Sequence, residues 1–121
     1  DDNYNKQQAI SEAVINLADN VKAVAIVAET ASGRTAIDIS SRRPSSPVIA
    51  VTADSMVANQ LSIIFGIKSY LRPNDPKAAT KLTNWMQHRK ILKKGDIVVT
   101  ASGKYPGVVG ATDTIKIRMM E

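Results

Sequence analysis

The chain has 121 residues, 44% hydrophobic and 22% charged, the balance of one soluble domain that buries about two-thirds of its unfolded surface without a disulfide or metal staple. It has no cysteine, which excludes thiol nucleophiles and thiolate metal sites; it has neither a basic-then-apolar leader nor an apolar run near the ~20 residues of a membrane span, so a cytoplasmic protein with no membrane contact is expected. The net charge of +5 favours anionic partners, but the densest basic group, Arg89, Lys90, Lys93 and Lys94, has no interleaved aromatic residue, so phosphorylated metabolites or acidic protein faces are expected rather than nucleic acid.

Asp1 to Asn5 are polar and are expected to fray. From Gln7, the apolar residues Ile10, Ala13, Val14, Leu17 and Val21 recur at three- and four-residue steps, which puts them on one helix face, with Asp19-Asn20 as the stop. Ala23 to Ala28 is a continuous apolar run, the signature of a strand buried on both faces of a parallel sheet. A turn through Ala31-Ser32-Gly33 leads to a helix from Arg34 to Arg43, closed by Pro44. Pro47 to Thr52 reads as a second buried strand. Asp54 or Ser55 caps a helix through Met56, Val57, Leu61 and Ile64, with Gly66 just past its end.

Ile67 to Leu71 is a short third strand. Asn74-Asp75-Pro76 is a helix start with Pro at the first helical position, and Ala78, Ala79, Leu82, Trp85, Met86 and Arg89 mark the packed face. Gly95-Asp96 leads into the strand Ile97 to Thr100, a glycine-rich loop spans Ser102 to Gly110, and Thr114 to Met120 closes the chain. In that last strand Ile115, Ile117 and Met119 alternate with Lys116 and Arg118, which predicts an edge strand with its wetter side on the basic residues. Strand-helix alternation predicts an α/β fold, a mostly parallel sheet with helices on both faces and the last strand antiparallel.

The loop Thr30-Ala31-Ser32-Gly33-Arg34-Thr35 joins a buried strand to a helix. Ligands of open α/β sheets bind at the carboxyl ends of strands, and helix starts attract anions through free N–H groups. Thr30, Ser32 and Thr35 add hydroxyls, and Gly33 lets backbone approach a ligand; a plain capped turn is the competing reading. The loop lacks Walker spacing. The second candidate is Gly103 to Gly110, with Lys104 and Tyr105 as its chemically useful side chains. His88, the sole histidine, lies on a polar part of its helix and reads as solvated. Asp38, Asp54, Asp75, Asp96 and Asp113 are scattered, with no metal-ligand spacing.

These segments, taken together, resemble the C-terminal α/β domain of pyruvate kinase. The run Ala25 to Ala36 resembles that family's effector loop. Arg42-Arg43-Pro44 with Pro47 to Thr52, then Lys94 to Val99, then Ser102-Gly103, Pro106-Gly107 and Gly110 to Ile115 are similar to its other motifs, in order over nearly the whole chain. The resemblance implies a three-layer α/β/α domain over 1–121 with a five-stranded sheet. The catalytic barrel, with its phosphoenolpyruvate, ADP, Mg²⁺ and K⁺, falls outside this chain. No catalytic residue, cofactor or metal is therefore expected here.

It also implies that Thr30, Ser32, Gly33, Arg34 and Thr35 hold the phosphate of an allosteric effector, while Gly103, Lys104, Tyr105, Pro106, Gly107 and Gly110 form a closing loop. The first helix and last strand are implied to assemble a tetramer. Two departures shape the ligand expectation. Ala31 stands where sugar-bisphosphate-regulated members have Lys, and Ala78 where they place a basic grip for a second phosphate, with Lys77 and Lys81 as stand-ins. A single-phosphate effector, a sugar phosphate or nucleotide monophosphate, is the expectation that follows. The competing readings are a free-standing relative that binds a metabolite or oligomerises without kinase activity, and a small phosphohydrolase using the glycine loop.

Overall fold

A computed structural model of the chain describes residues 2–103 and 112–121. Nine elements follow in order: α1 (Asp2–Val21), β1 (Ala25–Glu29), α2 (Arg34–Ser41), β2 (Val48–Thr52), α3 (Ser55–Ser62), β3 (Ile67–Leu71), α4 (Ala78–His88), β4 (Ile97–Gly103) and β5 (Thr112–Met119). The strands form one sheet in the order β3-β2-β1-β4-β5. β1 pairs parallel with β2 and β4, and β2 with β3, while β4 and β5 are antiparallel, with Ile97 opposite Met119 and Ala101 opposite Ile115. The expected five-stranded, mostly parallel sheet with an antiparallel last strand is the observed one.

Period-two geometry sends neighbouring strand residues to opposite faces. Ile26 and Ala28 of β1, Val48 and Ala50 of β2, and Val99 and Ala101 of β4 meet Val14 and Ala18 of α1, Ala36 and Ile39 of α2, and Val57 and Leu61 of α3. Ala25, Val27, Ile49, Val51 and Val98 face the other way, against Ala78, Ala79, Leu82 and Met86 of α4. Three helices thus cover one face and a single helix the other. Ala25 to Ala28 of β1 and Val48 to Val51 of β2 are apolar because both of their faces are core.

Element ends depart from the sequence expectations in instructive ways. α1 begins at Asp2, so the polar opening belongs to the helix. Its end is Val21 rather than Asp19-Asn20, because the backbone closes there: Ala23 N–H donates to Ala18 O at 2.9 Å and Lys22 N–H to Asp19 O at 3.3 Å, a Schellman stop. Lys22, Arg43 and Lys90 hold left-handed φ of 55°, 52° and 63° after α1, α2 and α4. A basic residue replaces the usual glycine at each, and its charge suits the negative end of the helix. Gly66 (φ 89°) is not the α3 stop; it lies beyond the Ile63 cap and turns the chain into β3.

Asp54 caps α3 as expected, accepting from Met56 N–H at 2.9 Å and Val57 N–H at 3.2 Å. Pro76 is not the first helical residue of α4. It lies in a turn that Asp75 holds by accepting from Lys77 N–H at 2.7 Å, and the helix starts at Ala78. On α4, Thr83 is buried where Trp85 was expected to pack; Trp85 is 36% exposed, and Arg89 is exposed.

Candidate functional site

The parallel order puts the carboxyl ends of β1, β2 and β4 at one edge of the sheet, and the starts of α2 and α4 at the same edge. The loop after β1 is fixed at both ends. Thr30 N–H donates to Val51 O at 2.9 Å, extending the β1–β2 ladder by one bond. Thr30 Oγ1 then accepts from Gly33 N–H at 2.8 Å, and Ser32 Oγ from Arg34 N–H at 3.3 Å. Gly33 is the residue before α2 and holds φ 90°. The first turn of α2 carries no acidic residue. The Arg34 side chain is exposed, with no ion pair among the described residues.

The structure therefore brings Thr30, Ser32, Gly33 and Arg34 together around one helix start. Thr35 is placed differently. It is buried, with Oγ1 at 3.1 Å from Thr112 Oγ1 of β5 and at 3.4 Å from Gln7 Nε2 of α1. Its hydroxyl ties α1, α2 and β5 together beneath the loop. Of the second candidate loop, Gly103 is the last residue of β4 and pairs with Thr112 just past a register shift. Lys104, Tyr105, Pro106, Gly107 and Gly110 lie outside the described residues.

One neighbour was missed by the sequence reading. Glu29 ends β1, and its side chain points to the α4 side of the sheet, half-buried. Burial pushes its carboxyl above the usual value. The Ala79 N–H, the Ser102 hydroxyl and Lys116 hold it down in part, and Asp75 adds to the rise. The residue ends an apolar run and matches no motif, so only tertiary packing shows what it faces.

Trp85 also has a tertiary setting that local sequence hides. Its ring meets Tyr70 of β3 edge-on at 5.8 Å, and the guanidinium groups of Arg72 and Arg89 lie 5.2 and 5.4 Å from it. An aromatic ring does therefore stand in the Arg89 cluster. At the opposite end of the sheet a groove of about 710 Å³ is lined by Ile37, Pro44, Pro47, Ile64 and Phe65 among others. His88 is exposed at the last position of α4. No group of three or more His, Asp or Glu that could hold a metal ion occurs among the described residues. No described helix is long and apolar enough to cross a membrane.

The geometry defines a three-layer α/β/α domain with a hydroxyl-lined loop leading into a helix at its strand ends. A family model described as "Pyruvate kinase, alpha/beta domain" matches residues 8–118. The chain belongs to that family. Among curated relatives, pyruvate kinase 2 of Synechocystis sp. is 36% identical over 116 residues, covering 93% of this chain and 20% of its own length. The pyruvate kinase of Clostridium acetobutylicum is 31% identical over 121 residues, covering 97% of this chain and 25% of its own. A crystal structure of a pyruvate kinase from Cryptosporidium parvum superposes with a TM-score of 0.79 at 26% identity, over 95% of this chain and 23% of that one. The chain spans about a fifth to a quarter of the length of these relatives.

Proposed function

We propose that this chain is the regulatory and assembly domain of a pyruvate kinase, binding a phosphorylated effector at the start of α2 and performing no phosphoryl transfer of its own. Transfer from phosphoenolpyruvate to ADP, with Mg²⁺ and K⁺, then belongs to a barrel outside this chain. The observation that carries the reading is the loop itself. The N–H groups of Gly33 and Arg34 are satisfied internally by the Thr30 and Ser32 hydroxyls. An incoming phosphate can take both N–H groups, while the two hydroxyls rotate to become donors to it and Arg34, which has no ion pair among the described residues, closes on it. No buried bond need be left unmade in that exchange.

Assembly is supported by β5. It is an edge strand, and Ile117 and Met119 on its outer part are 53% and 60% exposed. Pairing with a second copy across a twofold axis would cover them. An effector then regulates by favouring one subunit arrangement, with coupling of about 1–3 kcal/mol.

Calorimetry of this chain with hexose phosphates and nucleotide monophosphates tests the site. Binding by at least one class is expected, weakened roughly tenfold or more by Arg34→Ala and by Ser32→Ala, as the loss of a charge-assisted hydrogen bond predicts. Binding that ignores both substitutions contradicts the assignment. Pyruvate formation by the chain alone in a coupled assay contradicts the second half of the reading.

A further inference from the structure

β3 is an outermost strand of the sheet and pairs with β2 alone. Val48 N–H donates to Gly66 O, and Arg72 N–H to Thr52 O, so the even-numbered backbone groups of this segment face β2. Alternation along a parallel strand turns those of Ser69 and Leu71 to the open side. The side chains alternate as well. Ile67 packs in the larger core, and Ser69 Oγ donates to Ala58 O of α3. Lys68, Tyr70 and Arg72 therefore rise on the α4 side, where Tyr70 packs beside the smaller core.

Trp85 of α4 stands over this row and meets Tyr70 edge-on. The Arg72 guanidinium lies 5.6 Å from the Tyr70 ring and 5.2 Å from the Trp85 ring. Lys68 Nζ lies 6.0 Å from Tyr70, and the Arg89 guanidinium 5.4 Å from Trp85. Arg72 Nη1 also donates to Leu71 O at 2.8 Å, which holds the guanidinium at the open side of the strand. Three cations thus share two rings. The rings attract the cations without neutralising them. Among the described residues the ion pairs are Arg42–Glu12 and Lys81–Asp75, so none of the three cations is in one.

Charges on an outermost strand guard it against pairing with a like strand. Lys68 and Arg72 fit that role. Arg89 and Trp85 go beyond it, because a guard needs only the strand's own side chains and these two come from a helix. We propose that the open side of β3 takes an extended acidic segment of a partner protein as an added strand. The backbone groups of Ser69 and Leu71 pair with the backbone of that segment. On the α4 side its alternate side chains fall beside Lys68, Tyr70 and Arg72. The matching pattern is an acid beside Lys68, an apolar residue beside Tyr70 and a second acid beside Arg72, where Arg89 adds its guanidinium. A strand with lysines at those places meets like charges. Single-stranded nucleic acid would use the rings and the cations but leave the open backbone groups unpaired.

NMR titration and amide hydrogen exchange on the chain test this with three probes: the capped peptide Thr-Glu-Thr-Val-Thr-Glu-Thr, its counterpart with Lys for both Glu, and a short oligothymidylate. The acidic peptide is expected to bind roughly tenfold or more tightly than either other probe, and to slow exchange at Ser69 and Leu71. Lys68→Gln and Arg89→Gln are each expected to weaken it roughly fivefold to tenfold, the loss of one charge-assisted contact. No binding of the acidic peptide, or equal binding of the lysine peptide, overturns the proposal. Tighter binding of the oligothymidylate overturns it too and gives the patch to nucleic acid. Binding that leaves exchange at Ser69 and Leu71 unchanged refutes strand addition, and binding that ignores both substitutions refutes the role of the cations. Should either variant fail to fold, the wild-type ranking of the three probes and its exchange pattern still decide.

Discussion

A methyl group on Gly33 would have to displace a neighbour. Its φ of 90° is one that side chains rarely adopt, and a Cβ there would lie 3.1 Å from Leu61 Cδ2 and 3.4 Å from Val57 Cγ1. Leu61 is fully buried, so it has little room to yield. Gly33→Ala is expected to cost about 1–3 kcal/mol of stability, measurable by urea unfolding; a change below a few tenths would show that the turn relaxes freely. Glu29 presents the opposite case, a residue retained against a burial cost. Its carboxyl is raised above the usual 4.5, first by burial. The folded state then holds the proton more tightly than the unfolded state, so stability falls as pH rises through the window just above 4.5 and is regained on acidification. In Glu29→Gln that falling limb is expected to be absent from melting temperatures measured across the window. An identical pH profile in wild type and variant would remove the titration from Glu29. Asp75 carries the contrary sign: Lys81, then the Lys77 N–H, lower it below 3.8, and that contribution disappears only as pH falls beneath this value.

Among the elements, β5 shows what periodicity can and cannot convey. The alternation of Ile115, Ile117 and Met119 with Lys116 and Arg118 did identify the strand and its two faces. It misassigned the wet one in part. Ile115 packs on the larger core, but Ile117 and Met119 are exposed. Arg118 instead turns onto α4, donating to Thr80 O at 3.1 Å, to Thr83 Oγ1 and to Asn84 Oδ1. A guanidinium can reach three acceptors at once, which an alternation rule based on polarity ignores. Arg118→Ala is expected to cost about 1.5–3 kcal/mol, the range for hydrogen bonds to a charged group, and Arg118→Lys to recover only part of it. A thermal melt unchanged in Arg118→Ala would mean that α4 is held by its apolar face alone. The end of α4 teaches a similar lesson. Asn74-Asp75-Pro76 announced a helix, but Asp75 spends its side chain on a preceding turn, so the helix starts two residues past Pro76.

For the whole molecule, the buried strands, their order of alternation with helices and the loop after β1 were legible because each is a local pattern. What escaped is what packing assembles. Three helices crowd one face of the sheet and one helix serves the other, and this asymmetry is invisible in strand-helix alternation. The half-burial of Glu29 is one such product, and the placement of Trp85 by Tyr70, Arg72 and Arg89 is another. The loop's residue types were readable, yet the sequence could not say that Thr35 would be drawn beneath it to Thr112. The central claim is that the start of α2 holds a phosphate. A crystal of this chain soaked in inorganic phosphate tests it most directly. The account predicts an anion contacting the Gly33 and Arg34 N–H groups, with the Thr30 and Ser32 hydroxyls turned toward it. A loop that keeps its internal hydrogen bonds and excludes the anion, while phosphate is visible elsewhere on the surface, would contradict it.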